Sequence, residues 1–467
     1  MPEPRMWQLT AGSAALGLAL AAVAVTAAGP WDSGQRTAER ARAAAPATGG
    51  ARHAPPPAPA PPRRPAPAPS APGVLTALHA PAPAGRPADL AALLVPLLAD
   101  PGLGPLRTAS VVDTATGKQL YGEGAGTPMT PASTVKIATA AAALSALGPD
   151  HRIPTTVTAA PDGRTVTLTG GGDPTLDPAR LKALATDTAR ALTARGHTSV
   201  RLTYDTNLYP GPRLHPIGPN ENIAPVVALM TDEGRLDDSE SGPAPRAADP
   251  AADTATAFAG LLTEAGIEVT GDPAPGRTPK AAPLARTHSA PLADLVERTL
   301  THSDNDLAEA LARQTALARK QPASFEGAAK AVRDELARLG LPVAGARFAD
   351  GSGLDRRDRV SAALLTALLT RAADPARPAL RPLLTGLPVG GFTGTLAGRF
   401  DTAPATAGAG LVRAKTGTLT GVNTLAGTVV TPDGRLLAFA FLAGRTLSPY
   451  EAQPALDRLS AALAGQD

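Results

Sequence analysis

Ser133-Thr134-Val135-Lys136 places a serine three residues before a lysine, a pairing that can build a nucleophile. Residues i and i+3 share one face of a helix, so the two side chains can meet. A serine hydroxyl attacks a carbonyl poorly until a base takes its proton, and a desolvated neutral lysine can be that base. A serine in the first turn also sits where the helix dipole favours developing negative charge. Thr130 and Pro131 immediately upstream read as a helix start: a capping residue, then a proline whose missing N–H costs nothing in the first turn.

Two further groupings could serve the same chemistry. Ser303-Asp304-Asn305 lies between two helical stretches. It offers a hydroxyl to relay protons and an amide to hold both Lys136 and a substrate carbonyl, although a helix cap for the Leu307 segment explains it equally well. Lys415-Thr416-Gly417-Thr418 falls in a strand-like stretch from Leu411. A cation beside a side-chain-free glycine on a strand edge lets an extended peptide lie flush and anchors its carboxylate. Singly, each pattern has a plain structural explanation. The three together, in this order, are the combination known in serine β-lactamases and penicillin-binding proteins.

The elements that must position these residues are legible from periodicity. An amphipathic helix begins near Asp89 (Leu90, Leu93, Leu94, Leu97, Leu98), and a strand-turn-strand follows through Thr108–Asp113 and Gln119–Tyr121. A helix is expected over Ser133–Leu147, with helical spacing again at Leu292–Leu300 and Leu307–Leu317. The last stretch reads as two strands joined by Pro432-Asp433-Gly434 and a closing helix from about Tyr450. Between about Thr155 and Leu284 the pattern changes to short strands mixed with helices and turns. An unlike middle inside a resumed pattern predicts a domain inserted within a domain.

Composition narrows the function. Residues 1–88 carry eight Arg against three acids, so the formal +3 of the chain leaves −2 on the remainder. No basic stripe remains in the folded part, which argues against nucleic acid as a partner. With no cysteine, disulfides, thiolate metal sites and a Cys nucleophile are excluded. The seven His are scattered without zinc-ligand spacing, and neither a G-x-S-x-G elbow nor a phosphate-binding loop is present. The expectation is therefore no cofactor and no metal. Residues 1–29 hold an uncharged run from Leu9 to Ala28, read as an export signal or an uncleaved membrane anchor. Residues 30–88 are Ala/Pro-rich and read as a disordered linker holding a catalytic body outside the membrane.

The chain resembles the D-alanyl-D-alanine carboxypeptidase/endopeptidases of the class C low-molecular-mass penicillin-binding proteins. Besides the three groupings, the resemblance rests on Leu147–Asp150, Gly170–Pro174, Ala224–Val226, Asp232–Arg235, Asp350–Leu354 and Gly391–Leu396. It covers roughly residues 89–465. It implies an α+β, serine β-lactamase-like catalytic domain, an antiparallel sheet flanked by helices plus a helical subdomain, in two parts (89–155 and 286–467). An accessory α/β region is expected over 156–285. The interval 137–302 is short for the family, so one of its usual two accessory domains is expected to be reduced.

The resemblance also implies roles. Lys136 deprotonates Ser133, which attacks the penultimate carbonyl of a peptide ending in D-Ala-D-Ala or of a D-amino-acid cross-link. Ser303 protonates the leaving amine, Asn305 holds Lys136, and Lys415 stays charged to attract the carboxylate. Thr416, Gly417 and Thr418 bind the peptide, and the N–H groups of Ser133 and Thr418 form an oxyanion hole. The partners implied are peptidoglycan stem peptides and cross-links, β-lactams as inhibitors, and a membrane if the N-terminal segment is retained. The alternatives left open are a β-lactamase, against which the long interval and the lack of an E-x-x-x-N pattern count, and a catalytically silent wall-binding or antibiotic-sensing protein on the same fold.

Overall fold

A computed structural model describes residues 90–465. The N-terminal signal or anchor and the Pro-rich linker expected over 1–88 lie outside the described residues. Among the described residues, no helix is long and apolar enough to cross a membrane.

Helix α1 (Leu90–Leu98) leads into β1 (Leu106–Asp113), β2 (Gln119–Glu123) and then α2 (Val135–Leu147). The chain next builds a second sheet from β3 (Pro154–Ala159), β4 (Thr165–Gly170), β6 (Ser199–Asp205), β8 (Glu268–Val269), β9 (Ala274–Pro275) and β10 (Ala285–His288). Its core joins Val157, Leu168 and Leu202 to Leu181 and Leu184 of α3 (Pro178–Thr193) and Phe258 of α4 (Pro250–Glu264). Both helices start as their sequence requires: Asp177 and Asp249 cap them, and Pro178 and Pro250 occupy the first turn. Strands β5 (Asp173–Leu176) and β7 (Leu229–Thr231) pair separately in parallel.

Helices α5 (Leu292–Thr301), α6 (Asn305–Ala318), α7 (Phe325–Arg338) and α8 (Ala362–Ala373) follow. Strands β11 (Val412–Leu419), β12 (Val422–Val430) and β13 (Leu436–Gly444) then complete the first sheet in the order β11-β12-β13-β1-β2, antiparallel throughout, before α9 (Pro449–Ala464) closes the chain.

Alternation along β13 explains the layering. Leu437, Phe439 and Phe441 face a core shared with Leu90, Leu94 and Leu98 of α1 and Leu456 and Leu459 of α9. Ala438, Ala440 and Leu442 face a second core made with α2 and α5–α8. Successive strand residues point to opposite faces, so a strand covered on both sides is apolar at every position. The small side chains on the second face let α8 lie close beneath the sheet, with α2 packed in the helical layer beyond it. Helix α2 is itself buried from Val135 through Leu144, as an Ala-rich helix with no polar stripe must be. Lys136 is therefore carried into the interior by its own helix.

Candidate active site

The turn before α2 differs from the expected helix start. Ala132–Thr134 form a short 3₁₀ turn, and the α-helix begins only at Val135. Thr130 is not its cap, since its hydroxyl accepts from Arg359 Nη1 at 3.0 Å. One local and one long-range bond shape the turn instead: Thr134 Oγ1 and Thr424 Oγ1 both donate to the Pro131 carbonyl, at 2.7 and 2.8 Å. Ala132 is held at φ 48°, a left-handed conformation that costs an L-residue about 1–2 kcal/mol. Such strain persists only where surrounding contacts over-determine it. Its result is that Ser133 stands half-exposed in front of a buried helix.

Lys136 is 0 % exposed and its three N–H bonds are all used. They go to Ser133 Oγ at 3.1 Å, Asn305 Oδ1 at 2.7 Å and the Ser352 carbonyl at 2.6 Å. Burial pushes its pKa down to about 8, against the opposing pull of Asp350, Asp304, Glu309 and Asp358. A lysine so placed can exchange a proton with Ser133 near neutral pH.

The structure separates the two explanations of Ser303-Asp304-Asn305. Asp304 alone is the cap of α6, accepting from Leu307 N at 2.9 Å. Ser303, at φ 60°, and Asn305 are thereby free to face the cleft. Asn305 Nδ2 donates to the Asn222 carbonyl at 3.0 Å while its oxygen holds Lys136, so its orientation is determined from both ends. Behind them, burial and neighbouring Asp304 push the Glu233 carboxyl up to about 9 against the opposing charge of Arg298. Arg298 pairs with both acids and Arg235 with Glu233.

Lys415, Thr416, Gly417 and Thr418 lie on β11, the edge strand of the first sheet. Val412 O and Ala414 N bond outward to Gly390 and Pro388. Backbone polar groups alternate sides along a strand, so those of Thr416 and Thr418 also point outward, past the end of that covering segment. Opposite them is the cleft of about 450 Å³ that holds Ser133, Ser303 and Asn305. At Gly417 an added Cβ would come within 2.2 Å of Thr424 Oγ1, 2.7 Å of the Pro131 carbonyl and 3.1 Å of Ser133 N. Glycine is required there because the strand presses against the nucleophile turn. Gly417→Ala is expected to slow penicillin acylation at least tenfold by displacing that turn, an ångström-scale error that costs on the order of 100-fold. Stopped-flow labelling checks it.

Lys415 sits where its charge is disfavoured. It is fully buried, its Nζ donates to the Thr416 carbonyl at 2.8 Å, and burial together with the charge of Lys136 pushes its pKa well below the ordinary lysine value. A bound carboxylate would shift it back up and favour the charged form.

Several contributing groups were invisible in side-chain patterns. The Ser352 carbonyl holds Lys136, and Glu309 and Asp350 hold the turn that presents it, accepting from the N–H groups of Gly351, Ser352, Gly353 and Asp355. The Asp350-Gly351-Ser352-Gly353 sequence signals a tight turn. A backbone acceptor, however, leaves no trace in residue type.

The D-Ala-D-Ala carboxypeptidase 3 (S13) family model matches residues 90–241 and 237–463, which spans the site and both sheets. The chain belongs to that family. Its relatives include carboxypeptidase DacB of Mycolicibacterium smegmatis, 39 % identical over 84 % of this chain and 87 % of that protein. The D-alanyl-D-alanine carboxypeptidase of an Actinomadura species is 31 % identical over 73 % of this chain and 78 % of its own length. Among solved structures, penicillin binding protein 4 of Haemophilus influenzae superposes with a TM-score of 0.66 at 23 % identity, over 80 % of this chain and 98 % of that one. That likeness concerns the fold, which is the α+β, penicillin-binding-protein architecture expected from the sequence. As an S13 member the chain is a serine-type D,D-peptidase, the class to which the sequence resemblance pointed.

Proposed function

We propose that Ser133 is the acylated nucleophile of a D-Ala-D-Ala carboxypeptidase and D,D-endopeptidase acting on peptidoglycan stem peptides and cross-links. The observation that carries this is the single buried amine of Lys136 bridging Ser133 Oγ and Asn305 Oδ1. The family's other members bear on the substrate: the Mycolicibacterium smegmatis and Actinomadura proteins are named as carboxypeptidases, the latter for D-alanyl-D-alanine.

The peptide would pair with the free edge of β11 at Thr416 and Thr418, with its carboxylate favouring the charged form of Lys415. Lys136 takes the Ser133 proton as Oγ bonds to the carbonyl carbon. The oxyanion lies between the N–H groups of Ser133 and Thr418, donors worth about 3–4 kcal/mol each when aligned on it. The C–N bond then breaks, and Ser303 passes the proton to the departing amine. Water hydrolyses the ester, returning a proton to Ser133 and releasing the shortened acid. A β-lactam presents the same carbonyl and carboxylate, and the Haemophilus influenzae fold relative has been solved with one bound. Residues 156–285 are the accessory region of this reading, bringing Asn222, Arg235 and Arg246 to the rim of the cleft. Action on peptidoglycan requires export, which the uncharged run in residues 1–29 would provide.

Digestion of intact muropeptides, with products identified by mass, tests the assignment. Loss of one D-alanine from pentapeptides is the expected carboxypeptidase product, and halving of cross-linked dimers the endopeptidase product. Neither product appearing, or penicillin being turned over instead of retained, would overturn it.

A further inference from the structure

The exposed loop from Pro210 to Asn222, on the segment between β6 and β7, buries one side chain, that of His215, which is 3 % exposed. Its neighbours Leu214 and Ile217 are 50 % and 45 % exposed, so the apolar residues of this loop stay outside while the imidazole goes in. Burying a polar ring is unfavourable unless it is hydrogen-bonded, so a pocket needing only bulk would take a leucine. His215 has specific partners. Its Nδ1 accepts from Ile217 N at 3.3 Å, which leaves the proton on Nε2 to be donated to Asp350 Oδ2 at 2.8 Å. Phe325 packs edge-on against the ring at 5.4 Å, and a carboxylate oxygen of Glu309, itself paired with Arg313 at 2.8 Å, lies within 4.8 Å of the His215–Asp350 pair.

Asp350 is the centre of the turn that holds Lys136. It accepts from Gly353 N at 2.6 Å, Asp355 N at 2.7 Å and Ser352 Oγ at 3.0 Å, and that turn aims the Ser352 carbonyl at Lys136 Nζ. Oδ1 accepts from Gly353 N of the turn, while Oδ2 is shared between Asp355 N and Ser352 Oγ of the turn and His215 from the loop. We propose that His215 is a positioning residue for Lys136, acting through Asp350 and the Ser352 carbonyl. The second sheet's segment is thereby part of the base machinery and not only a wall of the cleft. The inference rests on Lys136 serving Ser133.

The test compares three variants of the full chain by stopped-flow acylation with a fluorescent penicillin, alongside thermal unfolding. His215→Gln keeps an N–H near the position of Nε2, His215→Asn falls short of Asp350, and His215→Leu removes the donor. The expected result is a maximal acylation rate reduced at least tenfold in H215L and H215N, as for an ångström-scale misplacement of the base. The half-saturating penicillin concentration should be unchanged, and H215Q should stay within about threefold of the parent. A role confined to stability would lower the melting temperature and leave the rate per folded molecule intact. Parental rates in H215N, or a loss in H215Q as deep as in H215N, overturn the proposal, and neither needs H215L to fold. Failure of the underlying reading is seen separately, as label persisting in Ser133→Ala.

Discussion

Ser133→Ala abolishes covalent labelling by penicillin and lowers peptide turnover by about 10⁴-fold or more, the scale on which removing a serine nucleophile acts. No other residue of the cleft is placed to replace it. Ser303 does not bond Lys136; the three acceptors of that amine are Ser133, Asn305 and the Ser352 carbonyl. The fold should survive, because Ser133 is half-exposed and loses one hydrogen bond, worth about 1 kcal/mol. Intact-mass analysis after incubation with penicillin, beside a melting curve, reads both parts. Normal labelling of the variant would remove Ser133 as the nucleophile.

Lys136→Met is the second large effect, and it separates catalysis from stability. A lysine lowered from 10.5 to about 8 carries its charge inside the protein at a cost of about 3 kcal/mol. Methionine fills a similar volume and removes that cost. It also strips partners from Asn305 Oδ1 and the Ser352 carbonyl, each a loss of about 1–3 kcal/mol. The opposing amounts are of one size, so the melting temperature should move by no more than about 5 °C. Acylation should fall by at least about 10³-fold, since no base remains beside Ser133. A variant that acylates near the parental rate would exclude Lys136 as the base.

The same lysine sets the pH dependence. Its neutral form is the base, so acylation by penicillin should rise about tenfold per pH unit and level above about pH 8. For stability the sign follows from proton counting. Between about 8 and 10.5 the unfolded chain holds the proton that the folded chain has released, so this group's contribution rises with pH across that window. Below about 8 both states are protonated and the burial cost is present in full. A flat acylation profile from pH 6 to 9 would contradict the assignment.

Much of this site could be read in one dimension. Ser133 and Lys136 are three residues apart across the junction of a 3₁₀ turn and a helix, and that short spacing brings them together. Gly417 is expected from sequence to let a substrate peptide lie flush, whereas the structure leaves no room for a side chain there because of Thr424 and the Pro131 carbonyl. The strands and helices that carry the site followed from alternation and helical spacing, because burial on one or both faces leaves a periodic mark. Family membership was legible for the same reason: its motifs are short and contiguous.

What tertiary structure alone decided is set by contacts between distant segments. The turn bearing Ser133 is shaped by Thr424, so Thr130 was misread as a cap. Asp304, not its neighbours, caps α6, a choice among three competent residues that only backbone direction resolves. Lys415 is shifted well below the ordinary lysine value because the fold buries it beside Lys136, and burial is not a property of a four-residue motif. The Ser352 carbonyl and His215 left no signal at all. One is backbone, and the other is one of seven scattered histidines. The nucleophile and its base are thus written locally in the sequence. Their proton balance is not, because desolvation and the fields of Asp350, Asp304 and Glu309 come from residues that meet only when the chain folds.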